Sequence, residues 1–513
     1  MRSITIALTL GATTLAALVL TFISTEQGSN LLQQVTRPRR ASDSASRVMN
    51  VNPGESLQAA LNNAVPGDTI KLKAGASYKG NFTLPKKAGT GYVTVQSSRI
   101  SELLQDTRVS PEQAPLLAKL ESATDGEPII KTAPGAHHYR FIGLEISTVN
   151  AGVKIFTLVE LGSSYKDQNT LNVVPHDIIF DRCYIHGFRE QPVQRGIALN
   201  SAETSVLNSW ISDIHWDIDT QALCGWNGPG PFHIINNYLE AAGENVMFGG
   251  ATVHIAGMIP SDIEIRRNHF FKPLSWKVGD SSYRSPKWTV KNHFELKNAR
   301  RVTVDGNLFE NCWGDGQTGF SVVLTPRQDP YAVVEDVTLS NNLFRNVEGG
   351  INFLGVDNYG GGPQQTRIKI INNLFERVGR EPLFQISNLN DLVIDHNTAL
   401  HLGTIVTHYG KSTTRFIFTN NIVERNHYGI IGTGDPPIEQ YFPDAVITAN
   451  VVVTQTPEYF QVRRGNYFPK ELGEVGFVDL SQGNYKLSAT SRYKGKGLNG
   501  KDPGVDVSVL RQP

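Results

Sequence analysis

The sequence predicts an all-β solenoid, a right-handed parallel β-helix, and three observations predict it. A short alternating apolar pattern that ends in asparagine recurs along the chain. The step between copies suits one coil of a solenoid. The composition, with 47 Gly against 4 Met, favours turns and strands over helices.

The repeat reads FHIINNYL, IEIRRNHFF, VTVDGNLF, VTLSNNLF, IKIINNLF, LVIDHNTA, FIFTNNIV and VITANVVV. It aligns Asn237, Asn268, Asn307, Asn342, Asn373, Asn397, Asn421 and Asn450. Two earlier copies, IIFDRCYI and SVLNSWI, place Cys183 and Ser209 in the same column. Neighbouring asparagines are 24 to 39 residues apart, a coil of about two dozen residues lengthened by insertions. Asparagine suits such a turn because it tolerates left-handed backbone angles. Its amide both donates and accepts, so stacked coils predict a hydrogen-bonded ladder. The leucine framework of leucine-rich repeats, which also carry a repeated Asn, is missing.

In chain order, residues 4–23 form an apolar run behind Met1 and Arg2. It reads as an export signal, within residues 1–24, that is either cleaved or kept as a membrane tether. Export to the periplasm, the cell surface or the medium follows. A polar linker occupies residues 25–47. The solenoid is expected over residues 48–470, opened by an amphipathic helix near Glu55 to Asn63 that covers its exposed end. Residues 101–121 read as a further helical insertion. Residues 471–513 form an irregular tail expected to close the other end. Asp502 and Asp506 flank Gly504 there as a turn, with too few oxygens for a calcium loop.

The chain has 48 basic and 48 acidic residues, so no net field draws it to nucleic acid or anionic membrane. Three cysteines, Cys183, Cys224 and Cys312, are too few for a disulfide framework and lack metal-ligand spacing; they read as buried thiols. A monomer is expected.

The Asn coils and the opening SLQAALNNAVPGDTIKL resemble the pectate-lyase-like superfamily of exported bacterial β-helix proteins. The stretch from Arg195 to Ala251 resembles a bacterial group known only as right-handed parallel β-helix repeat proteins. The resemblance covers residues 48–513 and implies the fold. The superfamily includes lyases, hydrolases, esterases, epimerases and adhesins, so it fixes no activity.

A second strand in each coil carries the variable chemistry. In HFELK, Phe294 and Leu296 alternate with His293, Glu295 and Lys297. With the large apolar residues inward, the outer face is expected to expose Asn200, Asn245, His293, Glu295, Lys297, Thr325, Arg327 and Asn352. Stacked strands lie about 4.8 Å apart, which gathers these residues into one patch. The insertion from Lys272 to Trp288 brings Trp276, Tyr283 and Trp288 near it, with Trp226 and Trp313 close in sequence. Aromatic faces of this kind stack on sugars, unless the rings only staple the loop to the solenoid. Asn245, Asn352, Trp226, Trp276, Tyr283 and Trp288 are therefore the candidate contacts to an acidic polysaccharide.

Three chemistries compete for the patch. β-Elimination from a uronic acid needs its carboxylate neutralised before the neighbouring proton is removed. Lys297 or His293 is the candidate base, Arg327 the neutralising group, and Glu295 a candidate calcium ligand. The ELK strand is similar to the lysine-bearing strand of polysaccharide lyase family six. That resemblance implies Lys297 as base, Glu295 as a calcium ligand and Arg327 as the assisting arginine, although Asn298 follows Lys297 where the family has serine. Hydrolysis needs paired carboxylates on one face. Asp213, Asp217 and Asp219 form the best acidic cluster and read as a solvated loop, while Glu240 and Glu244 read as metal or sugar ligands or as turn-ordering groups. The third class is a non-catalytic rod or glycan-binding surface. A lyase predicts His293, Lys297 and Arg327 around one groove, a hydrolase two facing carboxylates, and a rod neither.

Overall fold

The computed structural model describes residues 46–327, 330–357 and 362–510. The proposed export or anchor segment lies outside them. Among the described residues no helix is long and apolar enough to cross a membrane.

Three parallel sheets run the length of residues 48–453. Sheet A has 14 strands from Val48–Val51 to Val446–Thr448, sheet B 13 from Ser77–Lys79 to Val451–Val453, and sheet C 12 from Phe82–Leu84 to Ile430–Gly432. The chain visits A, B and C in turn, and each strand pairs in parallel with its counterparts one coil before and after. This is the right-handed parallel β-helix that the repeat predicts.

The repeat and the geometry coincide at the turn from sheet A to sheet B. Each ladder amide donates to the next coil's amide oxygen, at 2.9–3.1 Å from Asn237 through Asn450. The second amide hydrogen goes to a backbone carbonyl of the preceding coil, as from Asn342 to Val304. The amide oxygen also takes a backbone N–H, so each buried Asn is fully satisfied. Cys183 and Ser209 do occupy the same column: the Cys183 N–H donates to Ser209 Oγ, and the Ser209 N–H to Asn237 Oδ1. The pattern had missed Asn466, which extends the ladder by one rung.

The left-handed angle, however, falls on the residue before each ladder position. Arg182, Asn208, Asn236, Arg267, Gly306, Asn341, Asn372, His396, Asn420 and Ala449 all have positive φ. Asparagine is needed at the rung for its two-way amide and not for its backbone.

Inside, the large side chains stack from coil to coil. Phe270, Phe309, Phe344 and Phe375 form a column with ring centroids 4.4, 4.7 and 4.5 Å apart, close to the strand spacing. The opening helix forms over Leu57–Asn63, capped by Ser56 Oγ accepting from the Ala59 N–H, and buries Leu57, Ala60 and Leu61 over the first coil. At the other end Ile438, Tyr441, Phe442 and Phe460 join the core.

One expectation needs correction. Residues 101–121 are not a helix. They form 3-10 turns at Ile100–Glu102 and Pro111–Leu116 and then a strand at Ala118–Ser122, because Pro111 and Pro115 remove the donors that a helix needs. The tail after residue 471 packs Val475, Leu487 and Tyr493 on Ile422, Val451 and Val453 of the last coils. It forms a short antiparallel pair, Phe477–Asp479 with Asn484–Leu487, and runs back along the ladder turn. There the Leu498 and Asp506 N–H groups donate to Asn420 Oδ1 and Asn372 Oδ1. Tyr485 and Val505 pack on Leu308, Leu343 and Leu374. Asp502 caps Gly495 and pairs with Lys494, and Asp506 bonds Ser508, as turn residues do. All three cysteines are buried and free.

Candidate functional site

Sheet C carries the predicted row, but most of it is buried. Phe294 and Leu296 face the core and Glu295 points outward, in register with Met247 and Val323. His293 precedes the strand and turns inward. Its ring nitrogens lie 2.9 Å from Ser321 Oγ and 3.0 Å from the Glu310 carbonyl, while burial and then Lys272 hold its pKa well below the usual histidine range. Asn245 is enclosed as well, donating to the Leu239 and Phe271 carbonyls. Asn200 and Thr325 are likewise buried. Half-buried side chains remain on Lys297, Arg327 and Asn352. The Arg327 N–H donates to the Lys297 carbonyl, and its guanidinium acts on Tyr409. Asn352 accepts from Gln385. His293, Lys297 and Arg327 therefore do not surround one groove.

Around Glu295 the structure assembles a tight ionic group instead. Lys297 Nζ lies 3.6 Å from Glu295 Oε1. Lys291 Nζ lies 2.6 Å from Asp219 and 3.4 Å from Glu244, which also accepts from Gln221 at 2.8 Å. Burial, and then the Glu244 carboxylate, push Glu295 up to about 8 against the pull of the two lysines. Calcium takes about six to eight oxygens. Asp219, Glu244 and Glu295 bring three carboxyl groups, each with a lysine ammonium already at 2.6–3.6 Å, so the place of a cation is taken.

This pair makes stability depend on pH. Folded Glu295 keeps its proton up to about 8, whereas an unfolded glutamate releases it near about 4.3. Its stabilising contribution is therefore whole below the unfolded value and is lost as pH rises through the folded one. The melting temperature of Glu295→Gln is expected to gain on the wild type between about pH 5 and 8.5. An unchanged difference across that range would contradict the shift.

The insertion from Lys272 to Trp288 covers the corner between sheets B and C. Lys272 is fully buried and its ammonium donates to the carbonyls of Ala241, Ala242 and Gly243 at 2.6–3.0 Å. Trp276, Trp288 and Trp313 close over Ala242 and Val290, so these rings do staple the loop. Trp226 packs with Cys224 and Met247 under the Arg195 guanidinium. Tyr283 is half-buried within the loop.

The same loop leaves a cleft on sheet B of about 360 Å³. Pro111 stands on one side and Trp276, Arg284 and Trp288 on the other. Its floor follows from the ladder: Tyr184 and Trp210 line it, directly after Cys183 and Ser209, and Tyr238, after Asn237, continues the row in register behind them. Trp210 lies 3.7 Å from Tyr238, ring on ring. The next outward position on the strand is Ser212 in one coil and Glu240 in the following one.

At Asp213 the register slips, and this residue takes a left-handed φ of 55°, a bulge that re-aims its side chain. Glu240 Oε1 accepts the Asp213 N–H at 3.1 Å, and Oε2 the Tyr238 hydroxyl at 2.9 Å. Burial, and then the Asp213 carboxylate, push Glu240 up to about 7. His215 backs Asp213 at 3.8 Å while its ring stacks on Trp288 at 4.2 Å. Arg189 and Arg284 stand exposed at the rim, and neither pairs with a carboxylate among the described residues.

Asp213 belongs to a cluster that reads as a solvated loop in the sequence, and the structure half-buries it in this cleft. Glu240 stands among the expected sugar or turn ligands. Tyr184, Trp210, Tyr238, Arg189 and Arg284 are not singled out by the sequence. The signal was nonetheless there, one residue past each ladder position.

No family model matches this chain. No curated protein matches it either. Solved structures share its fold at low identity. An alginate lyase from Paenibacillus sp. str. FPU-7 is 14% identical over 72% of this chain and 95% of its own, with a TM-score of 0.37. The PL6 family alginate lyase AlyGC is 12% identical over 91% of this chain but 59% of its own, with a TM-score of 0.48. Pectate lyase Pel9A is 12% identical over 89% of this chain and 92% of its own, with a TM-score of 0.36.

Proposed function

We propose that the protein is a carbohydrate-active enzyme that hydrolyses an acidic polysaccharide in the sheet B cleft. The observation that carries this reading is Glu240, held up to about 7 beside Asp213 on the floor of an aromatic cleft. Acid–base cleavage of a glycosidic bond requires a carboxyl group that stays protonated near neutral pH beside a second carboxylate. Glu240 gives its proton to the leaving glycosidic oxygen as the bond to the anomeric carbon breaks. Asp213 supplies the second carboxylate, as base towards water or as nucleophile. Water ends up across the bond, and Glu240 is reprotonated from solvent. Tyr184 and Trp210 offer faces for the sugar rings, and Arg189 and Arg284 suit carboxylate or sulfate substituents on the chain.

One observation favours a second reading. Protonated Glu295 between Lys291 and Lys297 would donate to a uronate carboxylate, while Lys297, as the amine after giving its proton to solvent, takes the adjacent proton and the glycosidic C–O bond breaks, which is β-elimination on sheet C. The two readings separate in one experiment. Purified protein is offered alginate, pectate, chondroitin and other acidic glycans, and both new reducing ends and the ultraviolet absorbance of an unsaturated product are followed. Hydrolysis predicts reducing ends without absorbance, lost in Glu240→Gln and kept in Lys297→Ala. Absorbance that disappears with Lys297→Ala would replace the first reading by the second. Silence in both channels across the panel would leave a binding or structural role.

A further inference from the structure

We propose that His138, His176 and Asp177 hold a late first-row divalent cation, with zinc the best fit, on the outer face of sheet A. One ring nitrogen of each histidine and one carboxylate oxygen of Asp177 lie within 4.8 Å of one another. The histidines converge on the same oxygen: Asp177 Oδ2 is 2.7 Å from His176 Nδ1 and 3.8 Å from His138 Nδ1. Tetrahedral zinc at about 2.0–2.1 Å from its ligands needs them about 3.3 Å apart, within a small adjustment of this spacing. Glu203, in register on the next coil and within reach of Asp177, offers the fourth ligand.

Charge along this column is the reason to expect a cation. Near the start of nine sheet A strands one residue adopts a left-handed φ, and these residues share a column broken only at Pro231: His138, Asp177 and Glu203, then Asp262, Arg301, Asp336, Arg367, Asp391 and Arg415. In the later coils the signs alternate and the column neutralises itself. Arg301 pairs with Asp262 at 2.7 Å, Arg367 with Asp336 at 2.5 Å and Arg415 with Asp391 at 3.8 Å. In the early coils no arginine stands in the column. Asp177 and Glu203 are neighbours with the imidazoles and the Tyr92 hydroxyl, which donates to Asp177 Oδ1 at 3.5 Å, beside them, and a divalent ion would do there what arginine does further on.

The imidazole donors select zinc, cobalt or nickel over calcium and magnesium. His137 lies against both ligand histidines, with Nδ1 2.7 Å from His138 Nδ1 and its ring stacked on His176 at 4.8 Å, which fixes their orientation. The ligands are partly exposed, so ions reach them from solvent. Bound there, the cation ties three successive coils together and raises the stability of that part of the solenoid.

The test is calorimetric titration of Zn²⁺ into the full chain, purified without a histidine tag and freed of metal by a chelator. One ion per chain is expected. His176→Ala and Asp177→Asn should each weaken binding by at least about tenfold, while His427→Ala, at an exposed histidine elsewhere, changes nothing. Co²⁺ bound to the wild type should show visible bands of nitrogen and oxygen ligation without thiolate charge transfer, and should broaden the side-chain NMR signals of His138 and His176. No zinc uptake by the wild type would overturn the proposal. So would wild-type affinity in both ligand variants, or broadening at other histidines alone; the wild-type spectra decide the matter even if a variant fails to fold.

Discussion

Replacing Asn342 by leucine is expected to destabilise the protein by about 4 kcal/mol or more, the largest effect of any single ladder substitution of similar volume. Asn342 is fully enclosed. Its amide donates to the Val304 carbonyl and to Asn373 Oδ1, and its oxygen accepts from the backbone and side chain of Asn307. Leucine fills the space but strands the Val304 carbonyl and both Asn307 donors in a dry turn, at about 1–3 kcal/mol for each group left unpaired, while Asn373 Oδ1 keeps the backbone N–H of residue 342. Serine should cost less, because Ser209 already serves as a rung, accepting from Cys183 and donating to the Leu207 carbonyl. Chemical denaturation of Asn342→Leu and Asn342→Ser measures both. A loss below about 1 kcal/mol for leucine would mean that the rungs relax onto other partners. The damage should stay local, since each coil contacts only its neighbours.

The same physics explains what could be read from the sequence. A rung must satisfy one donor and one acceptor pair in every coil, so the chain repeats asparagine at each, and eight copies reveal the fold. Cys183 and Ser209 could be aligned because their neighbours keep the apolar pattern. The candidate site obeys no such repeat. Trp210 and Tyr238 touch because coils stack, and nothing within either strand marks them as partners. The direction of the Lys272–Trp288 insertion is set by its Trp cluster and by the Lys272 ammonium, which are tertiary contacts. His293 shows the converse error. Alternation carried one residue too far makes it an outward group, but the strand begins at Phe294 and the histidine lies in the bend before it, where inward donors are needed. Asn245 is misplaced for a related reason: at the corner its amide serves the carbonyls of Leu239 and Phe271.

Glu240→Gln is expected to lower kcat by about 10²–10⁴-fold with a smaller change in KM, since a general acid acts in the transition state and contributes on that scale. The amide keeps the acceptor for the Asp213 N–H and the contact with the Tyr238 hydroxyl, so the cleft should stay folded. The pH profile gives the sharper result. An acid group raised to about 7 is the active form only while protonated, so wild-type kcat/KM should fall as pH rises through that value. In Glu240→Gln the residual activity should lose this alkaline limb. Tyr238→Phe tests the cause: removing the hydroxyl that favours the charged form should move the limb to higher pH, whereas Asp213→Asn removes a repelling charge and should move it lower while also costing rate. Limbs that shift in the opposite directions would mean that another group carries the proton, and full activity in Glu240→Gln would remove this cleft from the chemistry.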